Sequence, residues 1–273
     1  MTTTTTPGRR TDPGGRPVPD TPGRGAPGGL AGAIACEWTK LWSVRAPWLC
    51  LLAGLAITGV FTYYYASISR INDDPIQPVG NAAASSAVLV QFAVVVLAMV
   101  TVTSEYSTGS VRASLLWVPR RHRVQTAKAL VAAVVAFVAG TAFAAVGTAV
   151  AWPAFDGRAS FEVGPSLRQV LAVGLYQASV AVLTVGVAFA TRHPAGALSF
   201  LVTLLWALPS VLLGLGGPAL AEVNDHLPHG SGDHFMRIGA DAPHAPVTAF
   251  LIVAAWAVAT HLIGLYVLRR RDA

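Results

Sequence analysis

Charge is scarce in this chain: Asp, Glu, Lys and Arg make up 12% of its 273 residues, where a soluble domain carries roughly 25%. So small a share leaves too little polar material for a wetted surface and excludes an ordinary soluble globule. Cysteine is almost absent. The two present, Cys36 and Cys50, lie near one end of the first apolar block and read as free thiols rather than as a disulfide framework. No zinc-type cysteine spacing occurs. Also missing are a phosphate-binding G-x-x-x-x-G-K-[S/T] loop, a Rossmann glycine fingerprint, a G-x-S-x-G nucleophile elbow and an H-E-x-x-H helix. The chain is therefore expected not to be an enzyme, and any uphill work it takes part in draws its energy from another chain. The first 29 residues lack the apolar segment of a signal peptide. Rich in Thr, Pro, Gly and Arg, they bury too little surface to offset their ordering entropy and are expected to be a disordered cytoplasmic tail.

What the chain does have is apolar residues, 53% of the total, gathered in long blocks. Six of these fall at about 47–66, 84–103, 129–151, 169–190, 195–214 and 247–268. Each is long enough to cross a bilayer core of about 30 Å at about 1.5 Å per residue. The expected fold is an all-α membrane protein with a six-span domain over 47–268, preceded by an interfacial amphipathic helix at 30–46 and followed by a basic end at 269–273. Thr191–Pro194 is so short a link that the fourth and fifth spans form an antiparallel hairpin.

Placing both termini in the cytoplasm puts 15 of the 19 Lys and Arg residues on that side, leaving Arg70, Arg158, Arg168 and Arg237 outside with eight of the thirteen acids. This is the positive-inside pattern of a multi-pass protein of the cytoplasmic membrane. Because topology accounts for the basic residues and the net charge of +6, no nucleic-acid partner is expected.

In the 30–46 segment, Leu30, Ile34, Trp38, Leu41 and Trp42 recur at helical spacing, with Glu37, Lys40 and Ser43 largely off that stripe. Such a helix lies in the membrane surface, with Trp38 and Trp42 at headgroup level and Lys40 and Arg45 toward lipid phosphates. Pro47 marks a break before the first span.

The loop between the second and third spans carries more pattern than topology requires. Gly109 breaks the chain, Ser110 caps a short helix running to Leu116, and Pro119 ends it. Val111, Leu115 and Leu116 form an apolar edge beside Arg112, with Arg120 and Arg121 following. A short amphipathic helix flanked by basic residues suits docking to a soluble partner.

Glu37-Trp-Thr-Lys-Leu-Trp-Ser-Val-Arg45, then Glu105-Tyr106-x-x-Gly109-Ser110-Val111-Arg112-Ala-x-Leu115, Val118-Pro119-Arg120-Arg121 and Lys128-Ala-Leu, resemble type-2 ABC exporter permeases of the Gram-positive, actinobacterial kind. The resemblance implies a six-span half of a dimeric channel, paired with a second copy or a sister permease. It implies a separate ATPase subunit that binds ATP and Mg, so that this chain holds no cofactor. It also implies that the loop, from Glu105 and Tyr106 to Arg121, is the coupling segment seated in that ATPase. The long N-terminal tail departs from the family layout.

No Asp, Glu, Lys or Arg falls in the middle of an expected span, which argues against an ion-coupled carrier. Gln91, Gln177 and His261 are the polar exceptions, either bonding helix to helix or lining a substrate path. The outer loop of about 216–246 contains His226, His229, His234 and His244 with Asp225, Asp233 and Asp241. Its irregular spacing favours a solvated polar loop over a metal site. Two alternatives to the permease reading stand: a non-transporting membrane anchor or sensor subunit whose basic loop binds a soluble regulator, and a metal-dependent membrane enzyme using the outer histidines.

Overall fold

The computed structural model describes residues 29–109, 121–239 and 242–270. In chain order its elements are α1 (Leu30–Trp42), α2 (Ala46–Ile71), β1 (Gln77–Pro78), α3 (Gly80–Thr108), α4 (Arg121–Phe155), β2 (Ala159–Ser160), α5 (Val163–Thr191), α6 (Pro194–Leu215), α7 (Pro218–Asp225), α8 (Pro228–Met236) and α9 (Pro246–Arg270). Six of these, α2 to α6 and α9, are long and apolar enough to cross a membrane. The fold is thus all-α and multi-pass. The helices run past the apolar blocks at nearly every end, because a helix continues through polar residues that sit at headgroup level. That extension brings Glu105 and Lys128, outside the expected spans, onto the same continuous helices.

Proline and left-handed residues set the joints. Pro47 occupies the first turn of α2, where its missing N–H costs nothing, so it opens that helix after the turn at 43–45. Gly109, at φ +73°, ends α3. Arg192 closes α5 at φ +57°, and Pro194 starts α6 two residues later, giving the tight α5–α6 hairpin.

Helix α5 is the axis of the bundle. Its side chains Tyr176, Leu183 and Phe189 are fully enclosed, with α4 on one side, α9 on another and α3 across the core. The α5–α9 seam depends on Gly186. A Cβ there would clash with the backbone of Thr260, so any larger residue forces the two helices apart. Close approach through small residues is how helices associate where lipid removes the hydrophobic drive.

By contrast α2 and α6 expose apolar side chains such as Leu52, Val60, Trp206 and Val211, which in a bilayer face acyl chains. Within α6, Thr203–Ala207 form a π-helical turn in which the Leu208 N–H reaches back to the Thr203 carbonyl. Pro209 explains its position: with no N–H, it leaves the Leu205 carbonyl without its helical donor, and the Gln91 side chain of α3 reaches that oxygen at 3.5 Å.

The two ends of the bundle differ. One carries α1, the α3–α4 junction, the α5–α6 hairpin and the last turn of α9. The other carries β1 and β2, paired in parallel through Gln77↔Ala159 and Pro78↔Ser160, together with α7 and α8. Here the structure corrects the expectation of a solvated outer loop. Residues 218–236 form two helices joined by a short link, with Leu227 of the link and Gly230, Ser231 and Met236 of α8 buried, and Trp256 of α9 donates to the His226 carbonyl at 2.9 Å. Pro218 and Pro228 each supply a helix start, so residues read as turn formers nucleate helices that cover the bundle end.

Candidate functional site

Four charges meet where α1 lies against α3 and α4. Glu37 and Lys40 share one face of α1 at i, i+3 spacing. Glu105 stands in the last turn of α3 and Lys128 at the start of the third turn of α4. The Lys128 ammonium lies 2.6 Å from Glu37 Oε2 and 2.8 Å from Glu105 Oε1, and donates its third bond to the Thr101 carbonyl at 3.0 Å. All three of its N–H donors are therefore satisfied. Lys40 closes the ring from the outside, 3.0 Å from Glu37 Oε1 and 2.9 Å from Glu105 Oε1. Glu37, Glu105 and Lys128 are 7%, 8% and 3% exposed. Burial works against the charge on Lys40, but its hydrogen bonds to Glu105 and Glu37, and their negative charges, hold the ammonium well above the usual lysine range. A lone buried charge is heavily penalised; a balanced and hydrogen-bonded ring of four avoids most of that penalty while fixing the relative positions of three helices.

The buried stripe of α1 differs from the expected one. Ala33, Glu37 and Leu41 face the bundle, whereas Leu30 and Trp38 are exposed. Lys40, read from the sequence as facing lipid phosphate, is turned to the two carboxylates. Trp38 packs edge-on to Trp42, with ring centroids 5.7 Å apart, and Trp42 meets Trp48 at 4.8 Å; Arg45 is exposed at the start of α2. Beside the charge ring a cavity of about 500 Å³ opens between α1, the turn into α2 and the ends of α3 and α4.

Next to Glu105 along α3, Tyr106 lies against Phe189, centroids 6.2 Å apart, and the Arg192 guanidinium sits 5.4 Å from its ring. The end of α3 is thus also tied to the α5–α6 hairpin. Of the loop residues singled out in the sequence, Glu105, Tyr106 and Gly109 belong to this tied end, and Arg121 is the first residue of α4. Ser110, Val111, Arg112, Leu115, Leu116, Pro119 and Arg120, with the short helix expected there, lie outside the described residues, as does the tail before residue 29.

The polar span residues occupy other places. Gln91 is fully buried; its Oε1 accepts from the Tyr176 hydroxyl at 2.7 Å and its amide donates to Val88 and Leu205 carbonyls. Gln177, also buried, donates to the Ala87 carbonyl at 3.4 Å. His261 accepts on its backbone carbonyl from Gln125 at 2.7 Å. Among the described residues, no three His, Cys, Asp or Glu side chains gather as a metal site; His234 instead pairs with Asp225 at 2.9 Å.

Sequence reasoning missed Glu37 and Lys128 as members of a site, and Gln125 and Tyr176 as buried polar partners. The first two had a signal. Glu37 sits at i+4 from Ala33 and i−4 from Leu41, an acid on an otherwise apolar stripe, and such an acid asks for a buried cation. Among curated proteins none matches this chain. Residues 33–210 match the family described as ABC-2 family transporter protein. That stretch is nearly two thirds of the chain and takes in the whole charge ring, the α3–α4 junction, the first four membrane-length helices and most of the fifth, so the protein belongs to the ABC-2 family of transporters.

Proposed function

We propose that this permease is the membrane-spanning half of an ATP-driven exporter of the cytoplasmic membrane. It works as a pair with a second copy or a sister permease, and a separate ATPase subunit supplies the energy. Both termini and the 105–121 segment face the cytoplasm, on the strength of the Lys/Arg bias between the two ends. The observation that carries the reading is the charge ring. The loop leaves α3 four residues after Glu105 and rejoins helix seven residues before Lys128, and both residues are hydrogen-bonded to α1. A push on this loop by a closing ATPase pair cannot be absorbed by slack at its two roots; it is passed to α1, α3 and α4 together, and through Tyr106 to the α5–α6 hairpin. The permease itself contributes no bond chemistry, only two packings whose relative stability the partner changes.

The test is affinity purification of the tagged protein from native membranes in mild detergent, beside an Arg112→Glu, Leu115→Asp variant, with mass spectrometry of what accompanies each. An ATP-binding subunit is expected with the unaltered chain and lost from the variant. Recovery of the intact chain with no ATPase, under conditions that preserve other transporter complexes, would remove its energy source and with it this reading.

A further inference from the structure

The cavity beside α1 has walls and floor of opposite character. Its walls include Ala33, Val44, Leu97, Val100 and Val124, while Glu37, Lys40, Glu105 and Lys128 form the polar side. Its volume of about 500 Å³ lies in the range of small-ligand sites. Aliphatic walls give water too few partners to hold it in order, so the walls favour an alkyl group. Exposed Cys36 and Val44 stand at the rim, and the opening faces the surroundings of α1.

The floor is more selective than its zero net charge suggests. Both oxygens of Glu37 and all three donors of Lys128 are engaged, and Glu105 Oε1 takes both ammonium groups. Glu105 Oε2, on a residue 8% exposed, has no hydrogen-bond partner among the described residues. The unfilled capacity of the floor is therefore an anionic acceptor, which calls for a cationic N–H donor.

We propose that this cavity is a binding site for one amine-headed phospholipid of the bilayer, its acyl chain between α1 and the ends of α3 and α4 and its ammonium on Glu105. The inference rests on the permease reading proposed above, with α1 lying in the membrane surface as its sequence leads one to expect. A primary ammonium headgroup meets the site's need. A choline headgroup carries charge but no N–H, and a glycerol headgroup leaves the phosphate's negative charge beside Glu105 uncompensated.

Full-length protein, delipidated in detergent, is offered phosphatidylethanolamine, phosphatidylcholine or phosphatidylglycerol of matched chains at equal concentration, and bound lipid is read by native mass spectrometry. One phosphatidylethanolamine per chain is expected, retained about tenfold more than phosphatidylcholine, the equivalent of one charge-assisted hydrogen bond. Glu105→Gln is expected to abolish the preference. Val100→Phe, which narrows the cavity between its walls and leaves the four charges in place, is expected to displace the acyl chain and abolish the adduct. In a Cys50→Ser background that keeps the native cavity, maleimide labelling of Cys36 at the rim is expected to slow about tenfold when phosphatidylethanolamine is present. Equal retention of the three lipids, an adduct that survives Val100→Phe, or Cys36 labelling indifferent to lipid would each overturn the proposal. Copurification of the ATPase is scored on the same preparations, so loss of the lipid site alone is told apart from failure of the exporter reading.

Discussion

Lys128 and Asn81 each join separate parts of the chain through several hydrogen bonds, but at opposite ends of the bundle and with different chemistry. Lys128 holds Glu37, Glu105 and the Thr101 carbonyl. Asn81 accepts from Gln169 at 2.7 Å and from the Ile238 N–H at 3.1 Å, and donates to the Ile238 carbonyl at 3.0 Å. At the first end all partners but one are ions, and removing any member leaves an uncompensated charge behind. At the second they are neutral amides, and removing one leaves unsatisfied dipoles. An ionic joint is therefore brittle: it holds one geometry well and tolerates partial disassembly badly. An amide joint yields in smaller steps. The brittle joint stands at the roots of the proposed coupling loop, where a displacement has to be transmitted. The yielding one stands under the α7–α8 cap.

The sharpest way to break this contrast is Lys128→Met. It strands two buried carboxylates with only half-exposed Lys40 to answer them, and the expected cost is about 3–5 kcal/mol, seen as a large drop in the melting temperature of the detergent-solubilised protein. Replacing Glu37, Glu105 and Lys128 together with Met is expected to recover most of that loss, because no buried charge then remains unpaired. If the single variant melts like the parent, the ring contributes nothing and the contrast fails.

Asn81→Ala tests the other end. The expected loss is about 1–3 kcal/mol, with faster proteolysis of the stretch after α8, whose tether at Ile238 it removes. A loss as large as that of Lys128→Met would show that charge is not what distinguishes the two ends.

The smallest effect expected is a pH dependence confined to the cap. Burial, and secondarily the Arg237 charge, lower the His229 pKa against the opposing pull of Asp233. A histidine whose folded value lies below its unfolded value of about 6.5 binds fewer protons in the folded state, so stability rises with pH there and is lost as pH falls below about 6.5. Melting is expected to occur earlier at about pH 5.5 than at about pH 7.5, and His229→Gln is expected to flatten part of that slope. An unchanged slope in the variant would assign the titration to another group.

Much of the bundle was legible in the sequence because length and hydropathy alone define a membrane-length helix; all six apolar blocks lie inside membrane-length helices. The family was legible in the short motifs around Glu37, Glu105 and Lys128. The charge ring was not, since its members lie 91 and 23 residues apart along the chain, and charges near span ends are ordinarily explained by topology alone. Orientation counting assigned Lys40 and Lys128 to the cytoplasmic side and stopped there. The α7–α8 cap was hidden for a different reason: Pro218, Gly230, Gly232 and Pro228 are turn formers in isolation, and only packing against α9 and Tyr176 makes that stretch helical.

The π-helical turn at Thr203–Ala207 constrains how this gene can change length. It holds one residue more than the α-helix around it, and each residue turns a helix by about 100°. Losing a single codon here would swing Leu208–Leu215 by about that angle, lifting buried Pro209 off its neighbours. An insertion of this kind, once accommodated by Pro209 and Gln91, is difficult to reverse. The fifth span is expected to keep its length through divergence that freely exchanges the residues on its outer face.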